Sequence, residues 1–264
     1  MHKAHEHQSI DYYSYISGLG SWNSVYKVIL SVGALITVIG LDSVSISLAT
    51  ILYMLFLSVG VGRIPGKDYL RLMRIPAAFI LLGGAAIMAQ FGSGEGSLLR
   101  VGIFGTHLYI TEDSLTLAVR VLLKAYAAIS AFYMMTLSTP MGEIISVFRK
   151  IRVPGLILEL MHLIYRYIFI LTETNQKQKD AAKSRLGYCD LKTSFRTFSS
   201  EIANLLVMSM KKADMYYDAM EARGGEESCI FWEEKKPLTA TQLMYGIYYI
   251  ALLLLVFFIM RRWG

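Results

Sequence analysis

The sequence predicts an all-α, polytopic membrane protein with about five transmembrane helices, or six, and a charged helical module outside the bilayer. Three observations predict this. Of the 264 residues, 55% are hydrophobic and only 17% charged, against about 25% charged in a soluble domain, and the mean hydropathy is +0.46. Four stretches, Ser43–Gly62, Ile75–Gly94, Ala125–Gly142 and Leu238–Met260, carry no charged residue, and about 20 mostly apolar residues span the hydrocarbon core as a helix. Finally, Glu173 to Lys236 holds 22 of the 46 charged side chains, a charged island within an apolar chain.

Taken in order, residues 1–23 are polar and aromatic and lack the basic start, short apolar core and small-residue cleavage site of a signal peptide. Spans are expected at about 24–41, 43–61, 76–92, 115–137 and 240–260. The first begins after Trp22 and Tyr26, rings suited to the interface, and Gly40-Leu41-Asp42-Ser43 separates it from the second. Arg120 and Lys124 fall in the first half of the fourth. Intramembrane cations are costly enough to be functional candidates, but a buried pair or a snorkelling end is the preferred reading. Leu156–Leu171 is apolar enough for a sixth span. Glu159, His162 and Arg166 share one of its faces at spacings of three and four, which favours a helix lying along the membrane; six spans remains the alternative.

Basic residues near span ends set the orientation. The link from Arg63 to Arg74 has four cations and one anion, whereas Ser93 to Ser114 has only Arg100 as a basic residue. The first is expected in the cytoplasm and the second outside, which leaves the island cytoplasmic and the C-terminus outside; Arg261 and Arg262 argue against the last point. Cys189 and Cys229, with no disulfide framework, fit a reducing compartment. The domains expected are 1–23, a polar segment; 24–137, four transmembrane helices; 138–236, the cytoplasmic module; and 237–264, the last span and C-terminus.

Within the island, Ile202, Leu205, Leu206, Ser209, Ala213, Tyr216, Tyr217 and Met220 recur at helical spacing. This amphipathic helix, expected over 201–221, stops at Ala222-Arg223-Gly224-Gly225, and an earlier one ends alike at Ser184-Arg185-Leu186-Gly187. Glycine past a helix end and arginine in its last turn are common capping features. Two such tips, 38 residues apart, nevertheless suit docking to acidic grooves, because guanidinium offers a permanent charge and a planar fork of donors.

Ser138-Thr139-Pro140, Arg152-Val153-Pro154, Glu159-Leu160, Tyr165-Arg166-Tyr167, Arg185 and Asp218 to Gly225, in that order, resemble the T component of energy-coupling-factor (ECF) transporters, specifically the CbiQ family. Ile10-Asp11-Tyr12-Tyr13 with Lys27 resembles its cobalt and nickel branch. The resemblance implies a non-catalytic coupling subunit in the cell membrane that joins two cytoplasmic ABC-type ATPases to a substrate-capture membrane subunit. Its partners would be these and the lipid bilayer, not nucleic acid. It implies that Ser184, Arg185 and Gly187, and Ala222, Arg223 and Gly224, dock the ATPases, with Leu186 a departure that separates Arg185 from its glycine. It implies no cofactor in this chain, ATP and Mg being used by the partner.

Other chemistry has little support. Val61 to Asp68 approaches a P-loop but lacks its first glycine and has Asp68 in place of the hydroxyl. Glu159-Leu160-Met161-His162 has the spacing of di-iron bundles without the further carboxylates. His2, His5 and His7 with Glu6 form a candidate cobalt or nickel ligand set, although a solvated polar terminus is preferred. A self-sufficient carrier calls for repeats and midplane polar groups, an intramembrane enzyme for convergent acids and bases; the uncharged stretches contain no Asp, Glu or His. A vitamin-type importer of the same class is a further alternative.

Overall fold

The computed structural model describes residues 9–88, 90–91, 99–103, 106–224 and 236–263. His2, His5, His7, Gly225 and Cys229 lie outside these residues. The helices are α1 (Ser9–Ile16), α2 (Ser24–Gly40), α3 (Val44–Leu55, continued by a π-helical turn over Phe56–Val61), α4 (Gly66–Met88), α5 (Glu112–Ser138), α6 (Met141–Lys150), α7 (Gly155–Ser184), α8 (Leu191–Glu221) and α9 (Ala240–Trp263). Between α4 and α5 lie β1 (Gln90–Phe91), β2 (Leu99–Ile103) and β3 (Thr106–Ile110). They form a small antiparallel sheet in the order β1-β3-β2, with Gln90 opposite Tyr109 and Leu99 opposite Ile110. The all-α class describes the rest.

The chain divides into two compact units, Met1–Ile144 with Glu234–Gly264, and Ile145–Glu233. In the first, α5 packs against α1, α2, α3 and α4, and α9 packs against α3. The core contains Leu19, Trp22, Leu30, Ala34, Ile46, Met54, Leu57, Ala131 and Met134. Large side chains point outward: Ile36, Phe79, Leu82 and Phe258 are exposed. Inside, small and hydroxylated residues let backbones approach, as in bilayer helix packing. Ser31 donates to the Ala131 carbonyl at 2.6 Å, and Thr50 meets the Tyr249 hydroxyl at 3.2 Å. Gly18 and Gly62 serve close approach: Gly18 donates to the Gly62 carbonyl at 3.0 Å, and a Cβ on Gly18 would lie 2.7 Å from the Val61 carbonyl oxygen.

Among the described residues five helices are long and apolar enough to cross a membrane: Val44–Val61, Gly66–Met88, Glu112–Ser138, Gly155–Ser184 and Ala240–Arg262. Their number equals the expectation, but the set differs. Ser24–Gly40, with 17 residues, is the shorter apolar helix, and the segment assigned to the membrane surface is the first half of α7, a single 30-residue helix. The third span also starts earlier than expected, at Gly66, and α8 at Leu191 rather than 201. The string resembling a P-loop is an interhelical turn: Arg63 adopts a φ of 53°, and the Pro65 carbonyl accepts the first N–H bonds of α4 from Asp68 and Tyr69.

Arg120 and Lys124 pair with Asp42, at 3.9 and 3.0 Å, on partly exposed side chains. The α2–α3 turn and the first half of α5 therefore lie at one end of this unit, and these cations are paired at that end, on side chains too exposed to form the buried pair the sequence suggested.

The second unit contains an antiparallel pair of helices. Tyr167 stacks edge-on against Tyr216, Lys212 Nζ donates to Thr174 Oγ1 at 3.3 Å, Gln178 Nε2 meets Met208 Sδ at 3.4 Å, and Thr197 Oγ1 donates to the Gly187 carbonyl at 2.8 Å. As numbers rise on α7 they fall on α8. Arg166, one of the three residues of the ionic stripe, places its guanidinium 4.5 Å from the Tyr216 ring centre, a cation–π contact.

Candidate functional site

Two constellations stand out, one in each unit. The first is a polar knot at the end of the first unit where α2 begins. Lys27 is fully buried, and a buried ammonium is tolerated only with partners. Its Nζ donates to the Ser138 carbonyl at 2.7 Å and to Glu143 Oε2 at 3.1 Å. Ser138 ends α5, whose last carbonyls have no helical N–H, so the lysine caps them and meets the negative end of the helix dipole. Glu143 also accepts from Ser24 Oγ at 2.6 Å and from Lys236 Nζ at 2.5 Å. Lys236 donates further to the Gly20 carbonyl at 2.6 Å. Asn23 caps α2 by accepting from the Val25 N–H, and its Nδ2 donates to the Lys236 carbonyl at 2.7 Å.

Burial works against the charged form of Glu143, but hydrogen bonds from Lys236, Ser24 and Lys27 and the Lys27 charge outweigh it and hold the carboxyl below its usual value. The sequence named Lys27 and Ser138-Thr139-Pro140 but not Glu143, the carboxylate that Lys27 meets, nor Lys236, the second cation on that carboxylate. The available signal was chemical: a lysine at the mouth of an apolar helix needs a carboxylate, and Glu143 is the first acid after Pro140.

The second constellation is the pair of arginine tips. At the end of α7 the Gly187 N–H bonds the Ala182 carbonyl at 2.9 Å and the Leu186 N–H the Lys183 carbonyl at 3.1 Å. This is the Schellman pattern, in which the residue just past the C-cap is left-handed. Arg185 is the C-cap and the left-handed residue is Leu186, at φ 58°. The helix therefore does not terminate on Gly187, as the sequence suggested. Gly187 is instead packed on α8: a Cβ there would lie 3.0 Å from Thr197 Oγ1 and 3.0 Å from the Ala182 carbonyl oxygen. At the end of α8, Ala222 is the C-cap, Arg223 follows, and Gly224 is left-handed at φ 77°. Both arginines thus directly precede the left-handed residue, and both are exposed.

Ser184 donates back to the Asp180 carbonyl at 3.0 Å, which closes the last turn of α7 behind Arg185. Because α7 and α8 are antiparallel, the Arg185 tip lies at their bend and the Arg223 tip at the far end of α8, a helix of 31 residues. At 1.5 Å per residue that is about 45 Å, so the arginines occupy separate sites.

Behind the first tip is a cavity of about 760 Å³ lined by Arg185, Arg196, Lys211, Glu201, Gln178 and Thr197, among others. Glu201, only 6% exposed, accepts from the Tyr188 hydroxyl at 2.7 Å. That bond pushes the Tyr188 hydroxyl up in pKa. Three cations to one acid give this cavity a positive character. No ion pair engages Arg185 or Arg223 among the described residues, and those residues contain no group of three metal-ligating His, Cys, Asp or Glu side chains. Cys189 is free and exposed.

The model of one protein family, CbiQ, described as a cobalt transport protein, matches residues 21–232, which include both arginine tips, Lys27 and Glu143. A Methanocaldococcus jannaschii protein described as uncharacterized is 26% identical over 218 residues, 83% of this chain and 81% of that protein. A putative fused cobalt transport protein CbiMQ of Methanocorpusculum labreanum is 31% identical over 202 residues, 76% of this chain but 33% of the fused protein. The cobalt transport protein CbiQ of Salmonella typhimurium is 30% identical over 152 residues, 57% of this chain and 67% of that protein. With five helices long and apolar enough to cross a bilayer, this is a multi-pass membrane protein, and the chain belongs to the CbiQ family of cobalt transport proteins.

Proposed function

We propose that this protein is the T component of an ECF importer for a divalent metal, cobalt first and nickel next. In this reading it is the non-catalytic subunit that transmits ATPase motion to a substrate-capture membrane subunit. The observation that carries the reading is the pair of exposed arginines, each directly before a left-handed helix end, at the two ends of α8. Separation by about 45 Å suits two partner subunits, not one. Each guanidinium fits an acidic groove on a cytoplasmic ABC-type ATPase, where two parallel N–H bonds to a carboxylate supply geometry as well as charge. Ser184, Arg185 and Gly187 form one docking tip and Ala222, Arg223 and Gly224 the other. The positive cavity behind Arg185 adds attraction for an acidic segment.

ATP and Mg act in the partner, and this chain binds no cofactor of its own. The fused relative matches over a third of its length, which is compatible with a membrane partner for this chain. With α2, α3, α4, α5 and α9 crossing the bilayer and the first half of α7 lying along it, the docking unit is cytoplasmic, on the side of the basic link Arg63 to Arg74. The test is to purify the chain with its ATPase and capture partners and compare it with Arg185→Ala and Arg223→Ala. Each substitution should weaken ATPase retention about tenfold or more, the scale of a lost charged hydrogen-bond pair, and lower cobalt uptake while insertion stays normal. Undiminished assembly and uptake in the double variant would sink the proposal.

A further inference from the structure

The two tips differ at the residue after the arginine. Gly224 takes its left-handed conformation at no steric cost, whereas Leu186 at φ 58° sets its Cβ against the following carbonyl. A bulky residue in this region is an outlier, and such strain persists where the surroundings over-determine it. Here the determinant is Gly187, locked between Thr197 and the Ala182 carbonyl, which fixes the Schellman turn around position 186. The turn gives Leu186 no return. Its usual apolar contact joins the residues two before the last helical residue and two after the C-cap, and the latter is Gly187, which has no side chain. Leu186 is 73% exposed. The other non-glycine left-handed residues among those described, Arg63 and Arg152, are cations that face water. Leu186 alone of the three combines strain with an apolar side chain in solvent.

We infer that Leu186 is a second docking element of the first tip: it enters an apolar depression on the ATPase beside the acidic groove that receives Arg185. This rests on the coupling role proposed above and names the chemistry of one partner surface, a carboxylate next to an apolar pocket. The contrast with Gly224 makes the tips non-equivalent, one cationic and apolar, the other cationic only.

The chain, co-expressed with its ATPase and purified in detergent, is compared with Leu186→Gly, Leu186→Met and Arg185→Ala. Leu186→Gly should raise the midpoint of thermal unfolding of the isolated chain by about 3 °C, as relief of left-handed strain implies. It should also weaken ATPase binding roughly 10- to 100-fold, the scale of a lost buried leucine. Leu186→Met, which keeps an apolar side chain, should bind nearly as wild type. A second readout uses Leu186→Cys with Cys189 and Cys229 changed to serine. In liposomes a water-soluble maleimide should label it in the chain alone, and added ATPase should protect it. Unchanged binding by Leu186→Gly together with loss of binding by Arg185→Ala would overturn this inference and leave the coupling role standing. Unchanged binding by both would overturn the two together. Protection by lipid without ATPase would assign Leu186 to the membrane and overturn it as well.

Discussion

Glu143 holds three segments of the chain at one carboxylate, and its chemistry fixes a pH dependence. Its folded pKa lies below the ordinary 4.5, so its stabilising contribution is fully present above that value and is lost as the pH falls through 4.5 toward the lower folded value. Thermal unfolding in detergent should show a midpoint that drops below about pH 4.5, and Glu143→Gln should remove this part of the drop. At neutral pH the same substitution leaves Lys27 and Lys236 facing an amide; it should cost on the order of 3 kcal/mol, the scale of a broken buried pair. A second polar account concerns Pro76, which lies inside α4 and has no N–H for the Leu72 carbonyl four residues back. The Tyr133 hydroxyl on α5 donates to that carbonyl at 3.1 Å. Tyr133→Phe should destabilise by about 1–3 kcal/mol in the wild type and by much less in a Pro76→Ala background, where the helix supplies its own donor. An additive double-mutant cycle would refute this pairing.

At the scale of elements, α7 and α8 are held along their length by a few side-chain contacts, and the Tyr216 ring is central, with Tyr167 at its edge and Arg166 over its face. Tyr216→Ala removes both contacts and should loosen the middle of the pair. Amide hydrogen exchange should then rise around Tyr167 and Lys212, with little change at Asp42, which belongs to the other unit. The heptad-like spacing of Ile202, Leu206, Ser209, Ala213 and Tyr216 was sufficient to predict a helix there, but not its start. Residues 191–200 add Phe195 and Phe198 on an exposed surface and read as ordinary polar sequence because Lys192, Arg196 and the serines mask the period. Likewise, α4 begins nine residues before the uncharged stretch that starts at Ile75, since a helix needs backbone geometry and not an apolar composition. The small β sheet was missed because strands of two to five residues give too short a pattern to detect.

For the whole molecule, the knot around Glu143 and the Asp42 pair mark opposite ends of α2, whose 17 residues rise about 26 Å, close to the hydrocarbon thickness. With the basic link Arg63 to Arg74 inside, a membrane-impermeant maleimide added to intact cells should label Asp42→Cys and spare Ser21→Cys; the reverse pattern would invert the assigned orientation. The class, the family resemblance and the two arginine tips are legible in the sequence alone, because apolar length, charge distribution and residues next to helix stops are local properties of the chain. Tertiary structure decided the rest. It matched Glu143 to Lys27, 116 residues before it, and to Lys236, 93 residues after it, which no spacing rule reaches, and it paired Arg120 and Lys124 with Asp42. It also set α7 antiparallel to α8, which puts the arginines at opposite ends of one helix. Finally, the packing of Gly187 against Thr197 moved the left-handed residue to Leu186, since which of two neighbouring residues turns the chain depends on what each must pack against.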